Sequence, residues 1–378
     1  MCASKKVPAV KSNLREDGTV SSELLALVVP LTRVRIFITV LGLMLGLALT
    51  ILLCLFVGSA HVSPADVLSR MTSPWRAFRG TTPYAADIDV ILFSIRLPRL
   101  LLAAMVGAAL ATAGAAFQAL LRNPLADPYV LGVSSGASFG AILATMGSSL
   151  IGLSSWQAAA NLTRPVAAFL GALMAIGLVY VVAGGRRGRS SSRLLLAGVI
   201  MSSLLMSVNI LLLTTTRQME IRGFFFWLIG DLSHPVRLDL SMAVVLVVVV
   251  MGALAIYSLA RSLNLIAVGE EDARTLGVPV ESVRTTIYLV TSLMTGAVVS
   301  ISGSIPYVGL IIPHIVRLSI GGDYRLLLPA VFFAGAIFTV VADTLARIVI
   351  SPAELPVGVI TALCGAPVFL SLLRKRGT

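Results

Sequence analysis

Apolar positions along this chain come in unbroken blocks. They neither alternate, as in a half-buried strand, nor return every three to four residues, as on one helix face. Blocks of about twenty residues bounded by arginine, proline or acidic clusters read as helices that are apolar all round. At 1.5 Å per residue, each can cross about 30 Å of hydrocarbon. Ten spans fit: 34–58, 98–121, 129–150, 165–183, 194–216, 238–260, 285–303, 306–321, 326–349 and 355–373. The eighth is short and opens on Pro306, which predicts a broken or tilted helix. The expected fold is an all-α integral membrane protein, with both termini on one side because the number of spans is even.

Composition removes the soluble alternative. The chain is 57% hydrophobic and 12% charged, with a mean hydropathy of +0.97. A soluble domain carries roughly 25% charged residues, so too few polar groups remain here for a water-facing surface. The net charge of +12 invites a nucleic-acid reading. Its distribution argues otherwise. The only lysines, Lys5, Lys6, Lys11 and Lys375, are terminal, and most arginines fall between apolar blocks. With the N-terminus inside, inner segments hold nineteen Lys and Arg and outer ones ten. That bias predicts a multi-pass membrane protein with both termini in the cytoplasm. Residues 1–33 read as a polar cytoplasmic tail and 34–378 as one membrane domain. The run Val34–Gly58 exceeds a signal peptide's apolar core and reads as a retained span. Cys2, Cys54 and Cys364 have no metal or disulfide spacing, so neither is expected.

Three features carry more specific chemistry. Gly107-Ala108 and Gly114 recur as Gly296-Ala297 and Gly303, and Pro124 as Pro313, all at an offset of 189. Five spans separate the copies, which predicts an inverted repeat of the kind that places transport sites at its interface. Arg122-Asn-Pro-Leu-Ala-Asp-Pro-Tyr-Val-Leu-Gly132 breaks two apolar runs with two prolines. It is either a tight cytoplasmic turn or part of a pore constriction, since non-helical backbone at membrane depth needs protein or water to satisfy it. The largest inner loop, 261–284, holds Gly269-Glu-Glu-Asp-Ala-Arg-Thr-Leu-Gly277. Acidic residues complement the start of a short helix, Gly277 ends it and Pro279 prevents its continuation. Such a helix is either a solvated linker or a docking element for another protein.

Together these stretches resemble the FecCD family, the permeases of iron–siderophore, haem and cobalamin ABC importers. The other matching segments are Arg96-Leu-Pro-Arg99, Gln118–Pro128, Leu194–Gly198, Gly309-Leu-Ile-Ile-Pro-His314 and Ala353-Glu-Leu-Pro-Val-Gly358. The resemblance implies a homodimer with its path at the centre, two cytoplasmic ATPase subunits and an external substrate-binding protein. ATP and Mg would be bound by the ATPase, leaving this chain with no cofactor, no metal and no catalytic residue. Glu270, Glu271, Asp272, Ala273, Arg274 and Gly277 would form the coupling helix. Asn123, Leu125, Ser191 and Ser192 would narrow the cytoplasmic mouth, although the serines equally suit a helix N-cap. Arg96, Arg99 and Arg347 would receive acidic residues of the binding protein. They equally suit snorkelling, or for Arg347 an i,i+4 pair with Asp343.

Other classes fit less well. His61, His234 and His314 form no HExxH. With no lysine between residues 11 and 375, no GxxxxGK[ST] phosphate loop exists. An ion-coupled secondary transporter is the remaining alternative. It usually needs an intramembrane carboxylate, for which Asp343 is the candidate.

Overall fold

A computed structural model describes residues 32–58, 88–150, 157–184, 191–214, 225, 227–233, 240–351 and 353–376. His61, His234 and nearly all of the polar N-terminal tail lie outside the described residues.

The described chain is helical. In order come α1 (Arg33–Phe56), α2 (Leu97–Leu120), α3 (Val133–Leu150), α4 (Gln157–Val182), α5 (Ser191–Thr214) and α6 (Leu240–Ser258). Two short helices follow, α7 (Ala260–Val268) and α8 (Glu270–Thr275). Then come α9 (Val280–Ser302), α10 (Val308–Ile320), α11 (Tyr324–Ile348) and α12 (Val357–Arg376). Among the described residues, seven helices are long and apolar enough to cross a membrane. Three shorter apolar stretches, Val133–Gly147, Val308–Ile320 and Val357–Leu370, occupy the other expected spans. Several boundaries differ from the sequence reading: α4, for one, begins eight residues before the expected 165. A π-helical segment, Val90–Arg96, leads directly into α2, and α9 begins five residues before the expected 285.

α2 is the hub, packed against α9, α10 and α11. Its most apolar window is 94% buried, whereas that of α1 has no buried residue. Composition explains the contrast. α2 is rich in alanine and glycine, which let helix backbones approach where lipid gives apolar side chains no incentive to cluster. A Cβ on Gly107 would meet the carbonyl of Gly335 in α11 at 2.1 Å, and one on Gly114 would meet that of Gly309 in α10 at 2.0 Å. Large side chains point outward instead: Phe37, Leu45, Leu211 and Leu240 are all more than half exposed. A core of small residues wrapped in leucine is the inverse of a soluble protein, and it suits a lipid solvent.

Candidate functional site

The motif-bearing residues gather at three places. The first is the loop carrying α7 and α8. Glu270, Glu271 and Asp272 occupy the first turn of α8, Leu276 caps it, and Gly277 follows at φ +82°. Ala273 is fully buried, anchoring one face, while Glu271, Asp272, Arg274 and Leu276 are exposed. The helix is strapped down by charge. The Arg284 guanidinium, on α9 and almost fully buried, donates to Glu270 at 2.5 Å and to Glu281 at 3.0 Å. Arg274 pairs with Glu281 at 3.2 Å. Val268 and Leu276 flank α8 with exposed apolar surface. A rigid base with a mixed apolar and charged outer face is what a docking element requires.

The second place is the turn after α2. Here the two prolines do not leave the backbone unsatisfied. The Asn123 side chain accepts from the Leu125 N–H at 2.9 Å, closing a tight turn that Arg122 enters at φ +48°. The Asp127 carboxylate accepts from the Tyr129 N–H at 2.8 Å and caps a 3-10 turn over Pro128–Leu131. Leu125 is exposed and Asn123 half-buried. Ser191 and Ser192 begin α5, but their side chains lie outside the described set.

This turn is built together with α10. Pro313 has no N–H to return to Gly309 four residues earlier. The Gln118 amide supplies the missing donor to the Gly309 carbonyl at 3.3 Å and also reaches Leu310 at 3.1 Å. Two stretches 191 residues apart are therefore halves of one contact, a dependence invisible to local pattern.

The third place gathers the arginines expected at the outer face. Arg96, Arg99 and Arg347 were expected to present themselves to an outside partner. They are instead 4%, 8% and 4% exposed, and each is engaged inside the chain. Arg96 donates to the Leu55 carbonyl at 2.7 Å. Arg99 bridges two carboxylates, with Nε 3.0 Å from Asp343 and Nη1 2.7 Å from Glu354. Arg347 lies 3.3 Å from the fully buried Asp343 and donates to Thr344 at 3.0 Å. Only the Arg347–Asp343 pair was legible, from its i,i+4 spacing. Glu354 carried a signal that went unused, as the one carboxylate of the Ala353–Gly358 segment. Its side chain remains 33% exposed, which makes it the open end of the cluster.

Comparison with known proteins gives a consistent picture. A model of the FecCD transport family matches residues 46–375. The cobalamin import system permease protein BtuC of Halobacterium salinarum is 43% identical over 311 residues, 80% of each chain. The hemin transport system permease protein HmuU of Yersinia pestis is 37% identical over 337 residues, 88% of this chain and 96% of its own. A solved structure described as an inward-facing conformation of a metal-chelate type ABC transporter superposes with a TM-score of 0.73. It is 31% identical and covers 89% of this chain and 98% of its own.

Proposed function

This chain belongs to the FecCD transport family, and from that premise we propose that it is the membrane permease of an ABC importer carrying a metal chelate, such as a ferric siderophore, haem or cobalamin, into the cytoplasm. The observation that carries the proposal is the extent of the match, which takes in nearly the whole helical bundle. In this reading the chain spans the bacterial cytoplasmic membrane ten times, with both termini in the cytoplasm, and works as a homodimer. ATP and Mg are handled by two separate ATPase subunits, and an external binding protein delivers the substrate. A repeated contact supports the inverted repeat. Gly107 of α2 packs on Gly335 of α11, and Gly296 of α9 lies against Ala172 of α4. If spans one to five and six to ten are copies, these are one contact used twice. The ion-coupled alternative loses its candidate, because Asp343 is committed to Arg99 and Arg347.

α8 is the ATPase-docking helix in this proposal. A Cβ on Gly277 would meet nothing within 4 Å, so a larger residue is strained there but not excluded. The strain of a left-handed non-glycine residue is roughly 1–2 kcal/mol. Gly277→Trp should leave membrane insertion intact and lower ATP-driven uptake at least tenfold. Uptake is measured in cells with labelled cyanocobalamin, haemin and a ferric siderophore in turn. Undiminished uptake would remove α8 from the coupling role.

Asn123 and Leu125, with Ser191 and Ser192, form the inner gate. Cysteine in place of Asn123 should crosslink across the dimer axis in one nucleotide state and not in the other. Crosslinking that ignores nucleotide would move the gate elsewhere.

Binding-protein docking through Arg96, Arg99 and Arg347 then requires an exchange. Arg99 releases the partly exposed Glu354 and takes a carboxylate from outside, a bidentate match its planar fork allows. Glu354→Gln weakens the internal competitor. Docking to the binding protein should tighten several-fold, most clearly at low salt where rim charges steer association. Equal affinity across a salt series would show that these arginines organise the outer face without receiving the partner.

A further inference from the structure

Asn264 joins the coupling loop to α11, and we propose that it is the joint through which movement of the ATPase-docking helix reaches that helix. The inference rests on the permease reading and adds a positioning residue to it.

α8 can move the bundle only through the contacts that hold its loop. Several are polar and cross between elements, among them the Arg274–Glu281 pair between α8 and α9. Arg284 ties Glu270 to α9. Arg122 of the turn after α2 donates to the carbonyl of Val268, the last residue of α7, at 3.3 Å. Asn264, in the middle of α7, reaches α11, and its amide is used in both directions. Nδ2 donates to Asp323 Oδ1 at 2.8 Å, and Oδ1 accepts from the Tyr324 N–H at 2.8 Å.

That second bond is unusual in its source. The first N–H groups of a helix have no partner inside it. Asp323, the residue before α11, caps the Arg325 N–H at 3.0 Å. The Tyr324 N–H is left for a residue sixty positions away on another helix. Pro329 then removes one rung, since it has no N–H to return to the Arg325 carbonyl. The first turn of α11 thus has fewer ties of its own and depends on α7 for closure. Hydrogen bonds from Arg325, above all, and from Asn264 hold the Asp323 carboxyl down at about 2, so it stays an ionised acceptor. Tyr324 is almost fully buried, and its phenol oxygen accepts from Arg317 at the end of α10. α7 cannot shift against α11 without breaking this set or carrying the helix along.

The far end of α11 bears Asp343 and Arg347, about 30 Å from Asp323 at 1.5 Å per residue. One helix therefore has the coupling loop fixed to its first turn and the outer charge cluster fixed to its last. Asparagine suits the joint because it donates and accepts at once, which neither aspartate nor alanine can do.

The test uses the permease assembled with its ATPase in lipid nanodiscs. Spin labels are carried on Val349→Cys, an exposed site just past α11, in a background of Cys2→Ser, Cys54→Ser and Cys364→Ser. The label-to-label distance across the dimer is read without nucleotide and with ATP–vanadate. In Asn264→Ala the nucleotide-dependent shift should fall by more than half, while ATPase co-purification and hydrolysis stay within twofold. Asn264→Asp combined with Asp323→Asn keeps a donor and an acceptor across the joint and should restore the shift. A full shift in Asn264→Ala overturns the proposal. So does loss of folded protein in that variant together with no recovery in the swapped pair, since Asn264 would then be purely structural. If no ATPase binds the unsubstituted chain, the permease reading itself falls and the joint falls with it.

Discussion

Asp343→Leu should all but abolish folded protein. Its carboxylate is fully buried and is shared by Arg99 and Arg347, themselves less than a tenth exposed. Removing one partner of a buried ion cluster leaves charge with no counter-ion, and typically destabilises by about 3–5 kcal/mol. Arg99 keeps Glu354, whereas Arg347 keeps its hydrogen bond to the neutral Thr344 hydroxyl. Thermal unfolding in detergent, followed by size-exclusion fluorescence, reads the effect. A companion variant separates charge from shape. Asp343→Leu with Arg99→Met and Arg347→Met replaces the cluster by apolar groups of similar size, and should recover most of the lost stability. Wild-type melting in the single variant would show that the cluster contributes nothing to the fold.

Gly107→Val should be as damaging for a different reason. The reciprocal approach of α2 and α11 leaves no room at either glycine: a Cβ on Gly335 would meet the Gly107 carbonyl at 2.4 Å. Backbone atoms cannot turn aside as a side chain can, so the helices must separate along their seam. Overpacking a well-packed core commonly costs about 1–3 kcal/mol, and a clash with backbone belongs at or above the top of that range. Gly42→Val is the control, because a Cβ there meets nothing within 4 Å. The expected result is loss of the folded peak for Gly107→Val and a normal profile for Gly42→Val. Equal profiles would mean that α2 and α11 pack less closely than described.

The two variants probe opposite ends of what could be read from the chain. Gly107 was conspicuous beforehand, as part of a repeated pair in an apolar block. Small residues in a span announce close packing because lipid rewards backbone approach and little else. What the pair packs against was not conspicuous, since Gly335 lies 228 residues on. Asp343 was noticed as an intramembrane carboxylate, and its i,i+4 spacing named Arg347 as a partner. Arg99 and Glu354 come from other elements, so no local spacing could name them.

The outer arginines show what position along the chain leaves open. Charge beside an apolar block marks the end of a span, and nothing in that position says whether the side chain turns to water or to a neighbouring helix. Burial decides it, and burial depends on which helices meet.

Sequence alone determined that this is a helical membrane protein, where most of its spans lie and to which family it belongs. Hydrophobic length, the dearth of charge and short contiguous motifs are local properties, and hydrocarbon imposes helices on any chain that crosses it. It also delimited α8, because acidic starts and glycine stops act within a few residues. Tertiary structure decided everything that depends on encounter. It made Gln118 the donor for a carbonyl freed by Pro313, Arg99 a bridge between two carboxylates, and Asn264 the cap of a helix sixty residues away. Each of these satisfies a polar group that the local chain leaves bare, and only the packed bundle determines which side chain is within reach.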